Sequence, residues 1–155
     1  MSQTRNPARQ RNYNRHPLET RHALPMTLLR ARESVMARFR PMLNAHGISE
    51  QQWRVMRVLA EEGVLDATEI SGRACIFASS LSRIIKTLEK QGTPIRERCP
   101  DDARRVQLRL SDQGYRIVSE ITPESVAIYR ALEDQFGSER VATLIDMLNE
   151  LVEME

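Results

Sequence analysis

The sequence predicts a mainly α-helical fold with one small β-hairpin, and three observations carry that prediction. Apolar residues recur at helical spacing over six stretches, separated by Gly, Pro and capping signals. One stretch alone, residues 99–110 (CPDDARRVQLRL), switches to period two, with Val106, Leu108 and Leu110 alternating against Arg105, Gln107 and Arg109. The helices at the two chain ends carry more apolar surface than one small core needs. Four helices, a hairpin and two further helices are the order of a winged helix-turn-helix. The terminal helices are expected to pair with a second copy, making a dimer.

Taken in order, residues 1–23 lack apolar periodicity and are expected to form a disordered basic arm. From Pro25 a helix runs through Leu28, Met36 (or Val35), Phe39 and Leu43. Pro41 is expected to kink or interrupt it, because proline lacks the N–H its turn needs. His46-Gly47 stops it. Ser49-Glu50-Gln51-Gln52 is a capping box, with Ile48 and Trp53 placed as a hydrophobic staple. The second helix continues through Met56 and Leu59 to Glu62, where Gly63 ends it. Asp66-Ala67-Thr68-Glu69 is a second capping box and opens a short helix toward Ala74. Residues 79–91 form the fourth helix on the stripe Leu81, Ile84, Ile85 and Leu88, and Gly92 stops it. Residues 94–98 and 105–110 are the two strands, joined through Pro100-Asp101-Asp102-Ala103. Ser111 caps a long fifth helix that Pro123 is expected to bend. Ser138 caps a sixth, with Val141, Leu144, Ile145, Leu148 and Leu151 on one face. The expected organisation is therefore the arm at 1–23 and one domain at 24–155. Within that domain, 24–46 and 111–155 serve dimerisation, and 49–110 form the winged lobe.

The chain has 155 residues, the size of one ordinary domain. Its net charge is only +2, but the charge is unevenly spread. Residues 1–23 hold five arginines against Glu19, residues 83–109 hold eight basic groups against four acids, and residues 133–155 hold seven acids against Arg140. The near-neutral total therefore hides two basic regions and one acidic end. Cys75 and Cys99 form no CxxC pair, so neither a disulfide scaffold nor a zinc site is expected. No apolar run approaches the ~20 residues of a membrane span. The N-terminus has no apolar segment of the kind a secretory signal needs, and a cytoplasmic protein without metal or cofactor is expected. The three histidines are scattered. No phosphate loop, H-E-x-x-H or G-x-S-x-G occurs, which argues against an enzyme.

The fourth helix presents Ser79, Ser82, Arg83, Lys86 and Lys90 opposite its apolar stripe. Serine hydroxyls suit phosphates, and arginine can bond guanine O6 and N7 together in a major groove. On this pattern alone a solvated face remains open, with Ser79 or Ser80 acting as a cap. In the hairpin, a carboxylate at Asp102 can hold the Arg104 guanidinium in an extended pose suited to a narrow minor groove. An ordinary surface ion pair is the other reading, worth only ~0–1 kcal/mol.

Resemblance weighs on the choice. Asp102-x-Arg104, five residues, then Leu110-Ser111 resembles the D-x-R-x5-L-[ST] wing motif of the MarR family of bacterial transcriptional regulators. Asn44-Ala45-His46-Gly47-Ile48-Ser49, with Gln52-Trp53-Arg54, resembles that family's junction of the first two helices. Ser80-Leu81-Ser82 and Leu88-Glu89-Lys90-x-Gly92 resemble its recognition helix. The resemblance spans roughly residues 25–154. RARE (30–33), FRPML (39–43), QQWRVMRVLAE (51–61) and RACI (73–76) point to members that control aromatic-acid catabolism of the homoprotocatechuate or 4-hydroxyphenylacetate kind. The chain departs from the family at Gly92-Thr93-Pro94-Ile95, where Gly-Leu-Ile is usual, and at Ser111, where Thr is commoner.

The resemblance implies a homodimer on a pseudo-palindromic duplex, its recognition helices in successive major grooves ~34 Å apart. The DNA contacts would come from Ser79, Ser80, Ser82, Arg83, Lys86, Arg96, Asp102, Arg104 and Arg105. It also implies a repressor released by a small phenolic carboxylate, bound between the dimerisation helices and the lobe. Candidate ligand residues are Arg30, Arg32, Met36, Phe39, His46, Trp53 and Arg73. Three of these have a plainer reading open. Trp53 is already a staple, Arg32 can pair with acids of a partner chain, and His46 can cap a helix. Cys75 is read as a buried structural cysteine. Two rival functions stand beside this one: a redox-responsive or ligand-independent regulator of the same fold, and a winged-helix protein-interaction module that binds no DNA.

Overall fold

The structure, a computed structural model, describes residues 23–154. Apart from Ala23, the expected arm lies outside the described residues. The described residues fall into two compact units, residues 23–38 and residues 39–154. The first unit's described part is the beginning of helix α1 (Leu24–Ala45), on which Met26, Leu28, Val35 and Met36 are half-buried.

The second unit takes the end of α1 and then α2 (Glu50–Glu62), β1 (Leu65–Asp66), α3 (Ala67–Ala74), α4 (Ala78–Lys90), β2 (Pro94–Arg98), β3 (Val106–Leu110), α5 (Asp112–Phe136) and α6 (Ser138–Glu153). Its core is aliphatic. Met56 and Leu59 of α2, Ile70 of α3, Leu81 and Leu88 of α4, Leu110 of β3 and Ile121 of α5 are all fully buried. Burial of each such side chain stabilises by ~1.5–3 kcal/mol relative to leaving it exposed.

Local signals set most boundaries. Ser49 Oγ accepts the Gln52 N–H at 3.1 Å while Gln52 Oε1 accepts the Ser49 N–H at 2.9 Å, so the first capping box is complete. Ile48 and Trp53 beside it are buried, as a staple requires. Asp66 and Glu69 form the second box, with both bonds at 2.8 Å. Ser111 Oγ accepts the Gly114 N–H at 3.0 Å and donates toward the carbonyls of Gly92 (2.6 Å) and Thr93 (3.0 Å). That one hydroxyl ties the end of the hairpin to the start of α5. Gly114 is required at this joint. A Cβ there would lie 2.4 Å from the Thr93 carbonyl oxygen, a backbone atom that cannot easily give way.

Several expectations need correction. Pro41 does not interrupt its helix: α1 runs unbroken through it, as α5 does through Pro123. Each proline removes one hydrogen bond from a helix of 22 or 25 residues, and both rings sit on exposed faces. Ser138 is not a cap. Gly137, at φ +100°, makes the whole joint between α5 and α6, so Ser138 already lies inside α6. The fourth helix starts at Ala78, with Phe77 as its N-cap residue and no side-chain cap. Cys75 is exposed rather than buried. It ends α3 in the left-handed region (φ +51°), which turns its side chain outward while Ile76 goes into the core. The hairpin is also wider than expected. β1 pairs antiparallel with β3, giving a three-stranded sheet in the order β1-β3-β2 with Leu65 opposite Leu108 and Asp66 opposite Gln107.

Candidate nucleic-acid interface

Helix α4 is amphipathic in the sense the site needs. Leu81, Ile84, Ile85 and Leu88 are buried, and Ser79, Ser82, Arg83, Lys86 and Lys90 are exposed; Ser80 is half-buried. Ser82 Oγ lies 3.4 Å from the Ala78 carbonyl, within its own helix. The turn before α4 is fastened from both sides. Arg54 of α2 donates through Nη1 to the carbonyls of Ala74 (2.8 Å) and Cys75 (3.2 Å), and Ser71 Oγ donates to the Ile76 carbonyl at 2.6 Å. These bonds satisfy carbonyls that the end of α3 would otherwise leave orphaned, and they set the angle at which α4 departs.

The wing is β2 and β3, in register from Pro94 opposite Leu110 to Arg98 opposite Val106. The Cys99 N–H donates to the Arg105 carbonyl at 2.9 Å, and the Arg105 N–H to the Asp102 carbonyl at 3.0 Å, closing the tip. Asp102 does not hold the Arg104 guanidinium, as the sequence suggested. Its Oδ1 accepts the Arg104 backbone N–H at 3.0 Å, a local turn bond of the kind aspartate makes two residues ahead of itself. The Arg104 side chain is left exposed, with no partner among the described residues.

Three of the other wing arginines are engaged. Arg96 Nε donates to Glu89 of α4 at 2.7 Å, bracing wing against helix, and that bond raises its pKa above the ordinary guanidinium value. Arg109 Nε donates to Glu97 at 2.6 Å across the strand pair. Arg105 pairs with Asp66. Asp66 thereby caps α3 and anchors the wing at once. The Glu69 backbone N–H, then the Arg105 side chain, hold its carboxyl below the usual carboxylate range. This double role was missed in the sequence. The capping box was a signal for Asp66, but nothing local marks a partner 39 residues away.

The expected ligand residues are spread over separate partners. Arg30 is exposed and has no partner among the described residues, whereas Arg32 lies 3.2 Å from Glu33. Met36 is half-buried. Phe39 is buried with its ring 4.8 Å from that of Tyr129. Trp53 is in the core. His46 Nε2 lies 3.0 Å from Glu124 Oε1 of α5, and Gly47, at φ +66°, supplies the left-handed residue after α1. Arg73 pairs with Glu62 at the end of α2. Among the described residues no cluster of side chains is suited to a metal ion, and no helix is long and apolar enough to cross a membrane.

Comparison with known proteins agrees with this geometry. The MarR family profile matches residues 48–106, which covers α2, α3, α4, β2 and the wing tip up to the first residue of β3. The chain is 41% identical over 140 residues to the HTH-type transcriptional regulator FarR of Neisseria gonorrhoeae, covering 90% of this chain and 96% of that one. It is 34% identical over 130 residues to the homoprotocatechuate degradative operon repressor of Escherichia coli, covering 84% and 88%. Among solved structures, NadR in complex with 4-hydroxyphenylacetate superposes with a TM-score of 0.77 at 41% identity, covering 86% of this chain and 94% of that one. With an outward basic helix, a braced wing and relatives matched along nearly their whole length, the chain belongs to the MarR family and is a DNA-binding transcriptional regulator, not an enzyme.

Proposed function

We propose that the protein represses an aromatic-acid catabolic operon and is released from DNA by a small phenolic carboxylate. The observation that carries this reading is the 41% identity to NadR, whose structure holds 4-hydroxyphenylacetate. The similarity to a homoprotocatechuate operon repressor supports the same chemistry. The active species is a homodimer on a pseudo-palindromic duplex. Ser79, Ser80, Ser82, Arg83 and Lys86 approach one major groove, and Arg104 enters the adjacent minor groove. Arg96, Asp102 and Arg105 support the wing that carries it.

For the effector, a carboxylate needs a cation and the ring an apolar wall. Arg30 is the preferred cation of the proposed set, because its guanidinium is exposed and has no partner among the described residues. Arg32, Met36, Phe39, His46, Trp53 and Arg73 complete the set to be tested. A ligand releases DNA only by binding better to a form that fits the operator less well. A coupling of ~1–3 kcal/mol corresponds to a ~5–150-fold loss of operator affinity. Calorimetry with 4-hydroxyphenylacetate and 3,4-dihydroxyphenylacetate, on wild type, Arg30→Ala and Arg32→Ala, is the test. Submillimolar binding that weakens at least tenfold in one arginine variant is expected. If neither acid binds the wild type below millimolar, the catabolic reading fails while the regulator remains. One observation favours a redox trigger instead, the exposed Cys75 in the turn before α4. Operator binding that peroxide abolishes and dithiothreitol restores would select it.

A further inference from the structure

Phe77 is the most exposed large apolar side chain among the described residues, at 86%. It occupies the N-cap position of α4, where Ser, Thr, Asp or Asn ordinarily accepts a hydrogen bond from the first turn. Phenylalanine accepts none, and α4 begins without a side-chain cap. The position therefore forgoes a helix cap and leaves a whole aromatic ring in water.

The exposure is imposed by an ordered turn. Ile76 on one side is 4% exposed and Leu81 one turn on is 1% exposed. The Leu81 N–H donates to the Phe77 carbonyl at 2.9 Å, and Ser71 Oγ fixes the Ile76 carbonyl. Extending α4 backward in helical register would put residue 77 on the buried Leu81/Ile84/Leu88 stripe. Its extended backbone (φ −60°, ψ 142°) takes it out of that register and turns the ring to solvent.

The ring's neighbours narrow what it can meet. It stands at the leading end of the helix whose exposed face carries Ser79, Ser82, Arg83 and Lys86, a surface built for a polyanion. In the major groove of a duplex the one apolar group on a base edge is the 5-methyl of thymine, and phenylalanine is among the side chains that contact it. We propose that Phe77 is a specificity-determining residue that reads thymine, its ring packing on the 5-methyl group of a base met by the first turn of α4. This rests on DNA binding by that helix and adds a base preference that hydrogen-bonding residues alone do not supply.

The test uses the full-length protein and a duplex that it selects from a randomised library. Each symmetry-related pair of thymines in the selected duplex is replaced in turn by deoxyuridine, which keeps the pairing edge and removes only the methyl groups. Binding is followed by fluorescence anisotropy for wild type, Phe77→Ala and Phe77→Ser. One buried methyl is worth about a 4-fold change in affinity, hence about 15-fold when both half-sites change. One symmetric thymine pair should cost wild type that much on replacement and cost either variant nothing further. Both variants should bind the thymine duplex as weakly as wild type binds the deoxyuridine one. Phe77→Ser, which restores a capping hydroxyl, should lose this affinity while raising the melting temperature, a combination no folding defect produces. The proposal is overturned if either variant binds the thymine duplex like wild type, or if every deoxyuridine penalty persists in the variants. A wild type that selects no duplex overturns DNA binding by α4 itself, and that result is read before any variant is made.

Discussion

At the residue scale the wing tip turns on which atom Asp102 holds. Its carboxylate accepts the Arg104 backbone N–H, so it shapes the turn and leaves the guanidinium free to reach. Arg104→Ala should weaken operator binding by ~1–3 kcal/mol, the range for a good specific contact. Asp102→Ala should lose part of that by loosening the turn. Asp102→Asn should bind nearly like wild type, because an amide oxygen can accept the same N–H. Anisotropy titrations of the three variants decide the matter, and an Asp102→Asn protein as weak as Arg104→Ala would mean that the guanidinium is held after all. The motif D-x-R was legible in the sequence, but the bonded atom was not. Spacing constrains where a side chain can reach, and the turn's backbone geometry chooses between the groups in range. Phe77 went unread for a related reason: at helical spacing it falls on the apolar stripe, and only its extended backbone removes it from the core.

Legibility at the scale of elements follows sequence distance. Both capping boxes, the Ser111 cap, the α4 stripe and the β2 strand are written within a few neighbouring residues, and each appears where the sequence put it. β1 is two residues long, too short for any alternation to show, and it exists because β3 lies beside it. Asp66 joins these two kinds of information, capping α3 locally and binding Arg105 across the sheet. The cap bond and the ion pair both favour its charged form, and its pKa is lowered. The stability it contributes is therefore fully present above the unfolded carboxylate value of ~3.9 and is lost as pH falls through the lower folded value. Asp66→Asn keeps a good capping oxygen but cannot pair with Arg105. Urea unfolding at pH 7 should find wild type more stable than Asp66→Asn, and the gap should narrow progressively as pH falls below the unfolded carboxylate value of ~3.9 and the carboxylate protonates. A gap that is unchanged at pH 3 would show that the charge on Asp66 contributes nothing to holding the wing.

For the molecule as a whole, α6 sets the problem. None of its residues is buried, and Leu144, Ile145, Met147, Leu151 and Val152 are all exposed. An amphipathic helix with an uncovered apolar face suits association, and a second copy of the same helix is the partner that the proposed pseudo-palindromic operator calls for. The full chain should therefore sediment as a dimer at micromolar concentration rather than as the 17.9 kDa monomer. Deleting residues 141–155 removes most of that face and leaves α2 to α5 and the wing in place. The truncated chain should sediment as a monomer while keeping its helical circular dichroism up to the end of α5. Its DNA affinity should fall by ~10²–10⁴-fold, because two half-sites no longer bind as one linked event. The two measurements must move together. A truncated chain that is monomeric yet binds the operator like wild type would mean that each lobe recognises DNA alone. A full-length chain that sediments as a monomer would leave the apolar face of α6 to some other partner.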